Sequence, residues 1–271
     1  MNTHYRSLLT HRLMVLAISS LSWGMTSAVA ATEPLSHPWI SAPPNGLEPE
    51  NYITNLKDGD KIETPFVLRF GLSQYGLSGI SDAVPRTGHH HLLINRDLPL
   101  DFTKPLPFTS DYVHFGKGQM ETVLTLKPGT YTLRMLLADH KHIPLFIYSP
   151  MIKVTVTGQR NDIKPESLLK PGVSVLAPRN GEAVKAPFLM RLHASKLNIS
   201  HEKIVANEAG RFRLVFRRAS DGATNTVDLK RGQTESWLRP PAGTYQVQTQ
   251  FVLNGTGVVK HSSAEQTLIV R

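Results

Sequence analysis

From residue 58 to the end of the chain, apolar and polar positions alternate in short runs that Gly and Pro clusters interrupt. Tyr131, Leu133, Met135 and Leu137 share one parity, as do Phe212, Leu214 and Phe216, and Val154 with Val156. A period of two places each set on one face of a strand, because successive side chains of an extended chain point to opposite sides. No segment sustains the 3.6-residue period of an amphipathic helix. Short alternating strands separated by turns predict an all-β protein of the sandwich type.

The pattern occurs twice. Asp58-Gly59 and Thr64-Pro65-Phe66-Val67-Leu68 match Asn180-Gly181 and Ala186-Pro187-Phe188-Leu189-Met190 at an offset of 122. The same offset sets His89-His90-His91-Leu92-Leu93-Ile94 on Arg211-Phe212-Arg213-Leu214-Val215-Phe216. After a deletion in the second copy the offset is 114. It then matches Gly118-Gln119-Met120-Glu121 to Gly232-Gln233-Thr234-Glu235, and Gly129-Thr130-Tyr131 to Gly243-Thr244-Tyr245. Ordered coincidence of glycines, prolines and apolar positions is the mark of an internal repeat. The stretches ending in Tyr131 and Tyr245 resemble the corner between strands E and F of immunoglobulin-like domains, where a Tyr hydroxyl bonds back to the chain. Two tandem immunoglobulin-like β-sandwich domains follow.

The N-terminus has another character. Arg6 and Arg12 precede an apolar run, Leu13 to Leu21, which ends in the small residues Ala28-Val29-Ala30-Ala31. The run is shorter than the ~20 residues that span a bilayer and has the form of a cleaved secretory signal. The expected layout is a signal peptide (1–31), an N-terminal extension (32–51), a His-rich sandwich (52–157), a linker (158–172) and a basic sandwich (173–271). The mature chain is expected to be periplasmic or secreted, with no transmembrane segment.

Composition narrows the chemistry. The 271 residues include no cysteine, which removes disulfides, thiolate metal sites and cysteine nucleophiles. There is no G-x-S-x-G motif and no phosphate-binding loop, so nothing identifies a substrate and a non-catalytic role is expected. Any metal site must use imidazole, carboxylate or thioether.

The chain has twelve histidines, and His89, His90, His91, His114, His140 and His142 account for half of them. Their counterparts in the second copy are Arg211, Phe212, Arg213, Asp228, Asn254 and Thr256. Every histidine is replaced while the Gly, Pro and Tyr framework is retained, so the fold forms without them. Strand parity turns His90 inward with Leu92 and Ile94, and turns His89 and His91 outward together. If the His-rich strand is C and the Tyr131 strand is F, the two pair antiparallel. The start of one then lies beside the end of the other, about 4.8 Å away. His89, His91, His114, His140 and His142 would converge at one end of the sandwich. Neutral imidazole is the commonest ligand of Cu(II) and Zn(II), so a copper or zinc site is expected there. Asp139 is a candidate ligand or acceptor for an imidazole. Gln119 and Glu121 recur in the second copy as Gln233 and Glu235, which favours a structural role for them.

Gly88-His89-His90-His91-Leu92-Leu93-Ile94, His114-Phe115-Gly116-Lys117-Gly118-Gln119-Met120-Glu121 and Asp139-His140-Lys141-His142 together resemble a bacterial exported family, domain of unknown function 4399. The resemblance runs from about Tyr52 to Val156 and implies an exported β domain. The family usually forms a single domain, so the second copy is a departure from it.

Charge divides unequally. Residues 32–157 hold 11 basic and 12 acidic residues, whereas residues 158–271 hold 17 and 9. Arg211, Arg213 and Arg217 fall on the outward parity of the strand equivalent to the His-rich one, with Arg218 adjoining. Such a face suits an anionic envelope component or an acidic protein. Nucleic acid is not expected outside the cytoplasm. Two functions are therefore expected to compete. One is copper or zinc handling by the histidine cluster. The other is a non-catalytic envelope binding or scaffold protein with structural or pH-responsive histidines.

Overall fold

The computed structural model describes residues 37–80, 83–99 and 101–271. The expected signal peptide lies outside them. No helix among the described residues is long and apolar enough to cross a membrane. The first part of the chain forms β1 (Ile40–Ser41), β2 (Asn51–Ile53), β3 (Lys61–Thr64), β4 (Phe66–Leu72), β5 (Gly76–Leu77), β6 (Thr87–Ile94), β7 (Tyr112–Phe115), β8 (Glu121–Leu124), β9 (Gly129–Ala138), β10 (Pro144–Tyr148) and β11 (Ile152–Gln159). A 3-10 turn at Pro165–Leu168 leads to β12 (Gly172–Ala177), β13 (Ala183–Val184), β14 (Phe188–Ser195), β15 (Gly210–Arg218), β16 (Thr224–Asp228), β17 (Glu235–Leu238), β18 (Gly243–Leu253), β19 (Val259–Ser262) and β20 (Gln266–Val270).

These strands build two sandwiches of the immunoglobulin or fibronectin type III kind. In the first, the sheet β2-β4-β8 faces β3-β11-β9-β6-β5, to which β7 and β10 are added. In the second, β12-β14-β17 faces β13-β20-β18-β15-β16, with β19 added. The repeat extends to register. His89 pairs with Ala138 and His91 with Leu136, while Arg211 pairs with Val252 and Arg213 with Gln250, the same positions at the two offsets. Both tyrosine corners form: the Tyr131 hydroxyl donates to the Lys127 carbonyl at 3.0 Å and the Tyr245 hydroxyl to the Pro241 carbonyl at 2.8 Å.

The described residues form one compact unit, and the sandwiches share buried surface. Leu72, Leu77, Met120, Leu137 and Ile147 of the first pack in the same apolar cluster as Ile199, Phe212 and Phe251 of the second. The seam has local two-fold symmetry. The Leu77 amide donates to the Gly232 carbonyl at 2.8 Å, and the Ile199 amide donates to the Gly118 carbonyl at 2.9 Å. Each residue of one bond is the repeat counterpart of a residue in the other. Gly118 and Gly232 have φ of +90° and +73°, and a Cβ there would lie 1.9 and 2.2 Å from the Ile199 and Leu77 carbonyl oxygens. Only glycine permits that approach.

The recurrent glutamates close the same seam. Glu121 accepts from His193 Nε2 at 3.0 Å, from the Lys196 amide at 3.2 Å and from the Ser195 hydroxyl, all in the second sandwich. Glu235 accepts from the Tyr52 hydroxyl of the first at 2.6 Å and from Arg191 Nε at 3.1 Å. Burial pushes the Glu121 carboxyl up, but the bonds from His193 and Ser195 and the charge of Arg69 outweigh it, holding the carboxyl below its usual range. The structural role expected of these residues is a joint between the repeats.

The N-terminal extension also joins them. β1 pairs antiparallel with β17 of the second sandwich, and Trp39 packs edge-on to Phe216 and Tyr245. The chain then crosses to the first sandwich, where β2 pairs with β4.

Candidate metal centre

His89, His91 and His114 are set by two ladders. β6 pairs antiparallel with β9 on one side and with β7 on the other, and His91 lies directly opposite His114. β7, at Tyr112–Phe115, ends the proline-containing segment that follows Asn95. It brings His114 into register beside His91, with ring centroids 5.1 Å apart. Gly116 makes room for that ring, since a Cβ there would lie 2.3 Å from His114 Cε1.

His142 arrives differently from the expectation. β9 ends at Ala138, so strand parity does not reach residues 140 and 142. Asp139 Oδ1 instead accepts from the amides of Lys141 and Ile143, organising a turn in which His142 has φ of +63°. That turn delivers His142 Nδ1 to 3.1 Å from His89 Nε2. The His142 carbonyl accepts from the Leu106 amide, which ties the turn to the loop above it. His140 is not part of the group, which corrects its expected place there: the chain reverses through it rather than extending. Asp139 is likewise occupied as the organiser of the turn.

The result is a four-imidazole cluster. One ligand nitrogen from each of His89, His91, His114 and His142 lies within 4.8 Å of all the others. His89 Nε2 is 3.0 Å from His91 Nε2. A tetrahedral zinc site, with Zn–N bonds of about 2.1 Å, sets its nitrogens about 3.4 Å apart. The observed spacings bracket that value, so one ion fits with small ring movements. Nδ1 of His89 and His91 and Nε2 of His114 are buried without a partner. Nitrogens held this close, with others left unpaired, satisfy one another poorly. A shared cation is the partner that converging lone pairs suit.

His89 and His91 are on the outward parity as expected, yet they are almost wholly buried, which corrects their expected exposure. The outer face is covered. Leu93, Leu106, Leu136 and Ala138 form a separate apolar cluster with Leu98, Phe102 and Tyr112, drawn from the loop after β6. Phe102 stacks on Phe146 at 4.2 Å. Phe108, 63% exposed, closes the rim, 4.7 Å from the His142 ring and 5.3 Å from that of His114. The signal was present in the loop itself, where Leu98, Phe102, Leu106 and Phe108 are large apolar residues between prolines. His90 points inward as expected, against Phe70 at 4.8 Å, and its Nδ1–H donates to Asn51 Oδ1 at 2.8 Å.

Burial is the main cause that lowers the imidazole pKa values, and the neighbouring histidines add to it. His89 falls to about 2 and His91 to about 3, and His114 is lowered in the same direction. Among the described residues no carboxylate joins the group, so all four donors are imidazole nitrogens.

The second sandwich fills the equivalent place with a different solution. Arg213 donates to Asp228 through Nε at 3.0 Å and a terminal nitrogen at 3.1 Å, at the positions of His91 and His114. Arg211, in the place of His89, lies 3.4 Å from Asp228 and donates to Asn254 at 3.2 Å. Arg217 pairs with Glu265 and Arg218 with Asp221. The four arginines singled out as a contact face are thus each matched with a carboxylate of their own sandwich.

No curated protein matches the chain. Among solved structures, fibronectin(III)-like modules of CbhA from Clostridium thermocellum align at 14% identity over 81% of this chain and 92% of that one, with a TM-score of 0.23. Dimeric latent PorU from Porphyromonas gingivalis aligns at 12% over 84% of this chain and 21% of its own, TM-score 0.30. The FN1–FN3 domains of chicken CNTN1 align at 12% over 79% and 66%, TM-score 0.26. The sandwich assignment rests on the strand pairing described above. A family model matches residues 68–157, the segment that carries all four clustered histidines. The first sandwich therefore contains a domain of the family described as Domain of unknown function (DUF4399).

Proposed function

We propose that this is an exported, periplasmic metal-binding protein that takes one copper or zinc ion on His89, His91, His114 and His142. The observation that carries the reading is the mutual approach of four imidazole nitrogens to within 4.8 Å. Three or four imidazoles meet the needs of tetrahedral Zn(II) or square-planar Cu(II), and an all-nitrogen set disfavours the oxygen-seeking Mg(II) and Ca(II). The replacement of the whole cluster by an arginine–aspartate network in the sister sandwich supports the same reading. The fold tolerates either filling, so the histidines serve something other than folding. The competing envelope-contact reading draws less support, because Arg211, Arg213, Arg217 and Arg218 are each ion-paired.

The test is titration of untagged mature protein with Zn(II) and Cu(II) in competition with a chelator. One equivalent should bind, and His89→Ala with His91→Ala should abolish it. Absence of binding at micromolar metal would defeat the proposal.

A further inference from the structure

The four clustered imidazoles differ in depth. His89 and His91 are almost wholly buried, whereas His114 and His142 are half-buried, so the group reaches the surface through the latter pair. Those two rings lie 4.9 Å apart, and Phe108 meets both edge-on, 5.3 Å from His114 and 4.7 Å from His142. An apolar ring therefore sits across the two ligands that an entering ion or an incoming chelator meets first.

Phe108 is held between two fixed points of the backbone. Leu106 is buried, and its amide donates to the His142 carbonyl at 2.9 Å. Pro107 restricts φ just before the aromatic residue. On the other side the Thr109 carbonyl accepts from the Tyr112 amide at 3.1 Å, where the chain enters β7. The His142 turn and the His114 strand thus fix the segment at both ends. The ring itself stays 63% exposed, outside the apolar core. Rotation to another staggered rotamer moves it off both histidines without breaking either backbone bond. Phe146 is also exposed, but it stacks on Phe102 and makes no ring contact with a clustered histidine.

We propose that Phe108 gates the metal centre: the ring as it stands slows uptake and release of the ion, and the turned ring admits it. This inference rests on the metal-binding reading of the cluster. A side chain that covers the ligands without coordinating alters the path and not the end states. It changes both rate constants by the same factor and leaves their ratio, the affinity, unaltered. A tenfold slowing requires the ring to be closed about ten times more often than open, equivalent to ~1.4 kcal/mol. Contact with two imidazole rings is of the right kind to supply that preference.

The experiment is stopped-flow mixing of the untagged full mature chain with Zn(II), for uptake, and of the zinc-loaded protein with excess 4-(2-pyridylazo)resorcinol, for release. Phe108→Ala should speed both at least tenfold and leave the equilibrium affinity within threefold of wild type. Phe108→Tyr keeps the cover and should stay within threefold of wild type in both rates. Phe146→Ala, which removes an exposed aromatic ring that touches no ligand, should do the same. Wild-type rates in Phe108→Ala, faster release with unchanged uptake, or equal acceleration by Phe146→Ala would overturn the gate and leave the metal site standing. A wild-type chain that takes up no zinc at equilibrium would remove the site itself, and the gate with it.

Discussion

His91 and His114 face one another across an antiparallel ladder, and their repeat counterparts Arg213 and Asp228 face one another in the same register as a two-point ion pair. One cross-strand position has thus been filled in two chemically exclusive ways. A guanidinium and a carboxylate neutralise each other, and the guanidinium's positive charge repels a cation. Two imidazoles leave nitrogens that only a shared partner satisfies.

Exchange of the two fillings is therefore a direct test. The single change His91→Arg buries an unpaired cation and should destabilise the protein by about 3 kcal/mol or more. His91→Arg combined with His114→Asp supplies the partner and should recover most of that loss while abolishing metal binding. Chemical denaturation of the two singles and the double gives the coupling energy. A double variant no more stable than the sum of its parts would show that the two positions are not equivalent to those of the second sandwich.

The four clustered histidines should separate from the fifth candidate. His89→Ala or His142→Ala should lower metal affinity by about 100-fold or more, since each removes a ligand. His140→Ala should change it less than threefold, because the turn carries His140 out of the group. Competition with a chromophoric chelator reads both. Equal losses for His140 and His142 would contradict the assignment.

Acid should destabilise the metal-free protein. Burial, with the neighbouring histidines adding to it, holds His89 at about 2, and His90 and His91 at about 3, against 6.5 in the unfolded chain. Between those limits the unfolded state binds more protons than the folded one, so stability rises with pH. It is complete above about pH 7 and lost as pH falls from 6.5 toward 3, at about 1.4 kcal/mol per pH unit for each such histidine. Urea unfolding at pH 7.5 and 5.0 measures the difference. Identical midpoints would mean that the imidazoles are hydrated rather than buried.

The seam makes its own demand. Gly118→Ala and Gly232→Ala each drive a Cβ into a carbonyl oxygen and impose a left-handed φ on alanine, at a cost of about 2–4 kcal/mol. Because the two sandwiches share apolar cluster residues, the loss should lower the midpoint of a single unfolding transition. A variant with wild-type stability would indicate that the sandwiches separate at no cost.

Much of this was written in local pattern. The repeat offsets carried over to ladder register because matching Gly, Pro and apolar positions fix where strands start and which face they bury. The inward face of His90 and the outward face of His89 and His91 followed from parity alone. Burial of the outward pair did not follow, because it depends on a proline-rich loop folding back, and parity says nothing about what covers a face. The turn at Asp139 was similarly hidden. His140 and His142 share a parity, and only the side-chain bonds of Asp139 decide that one joins the cluster while the other does not. The pairing of Arg213 with Asp228 depends on β16, whose lone apolar position gave little alternation to read.

X-ray absorption at the zinc edge of the zinc-loaded, untagged mature protein measures the convergence of the four imidazoles most directly. One zinc per chain should show a shell of three to four nitrogens near ~2.0–2.1 Å with the multiple scattering of imidazole rings. An oxygen-dominated shell, or scattering from fewer than two imidazoles, would contradict it.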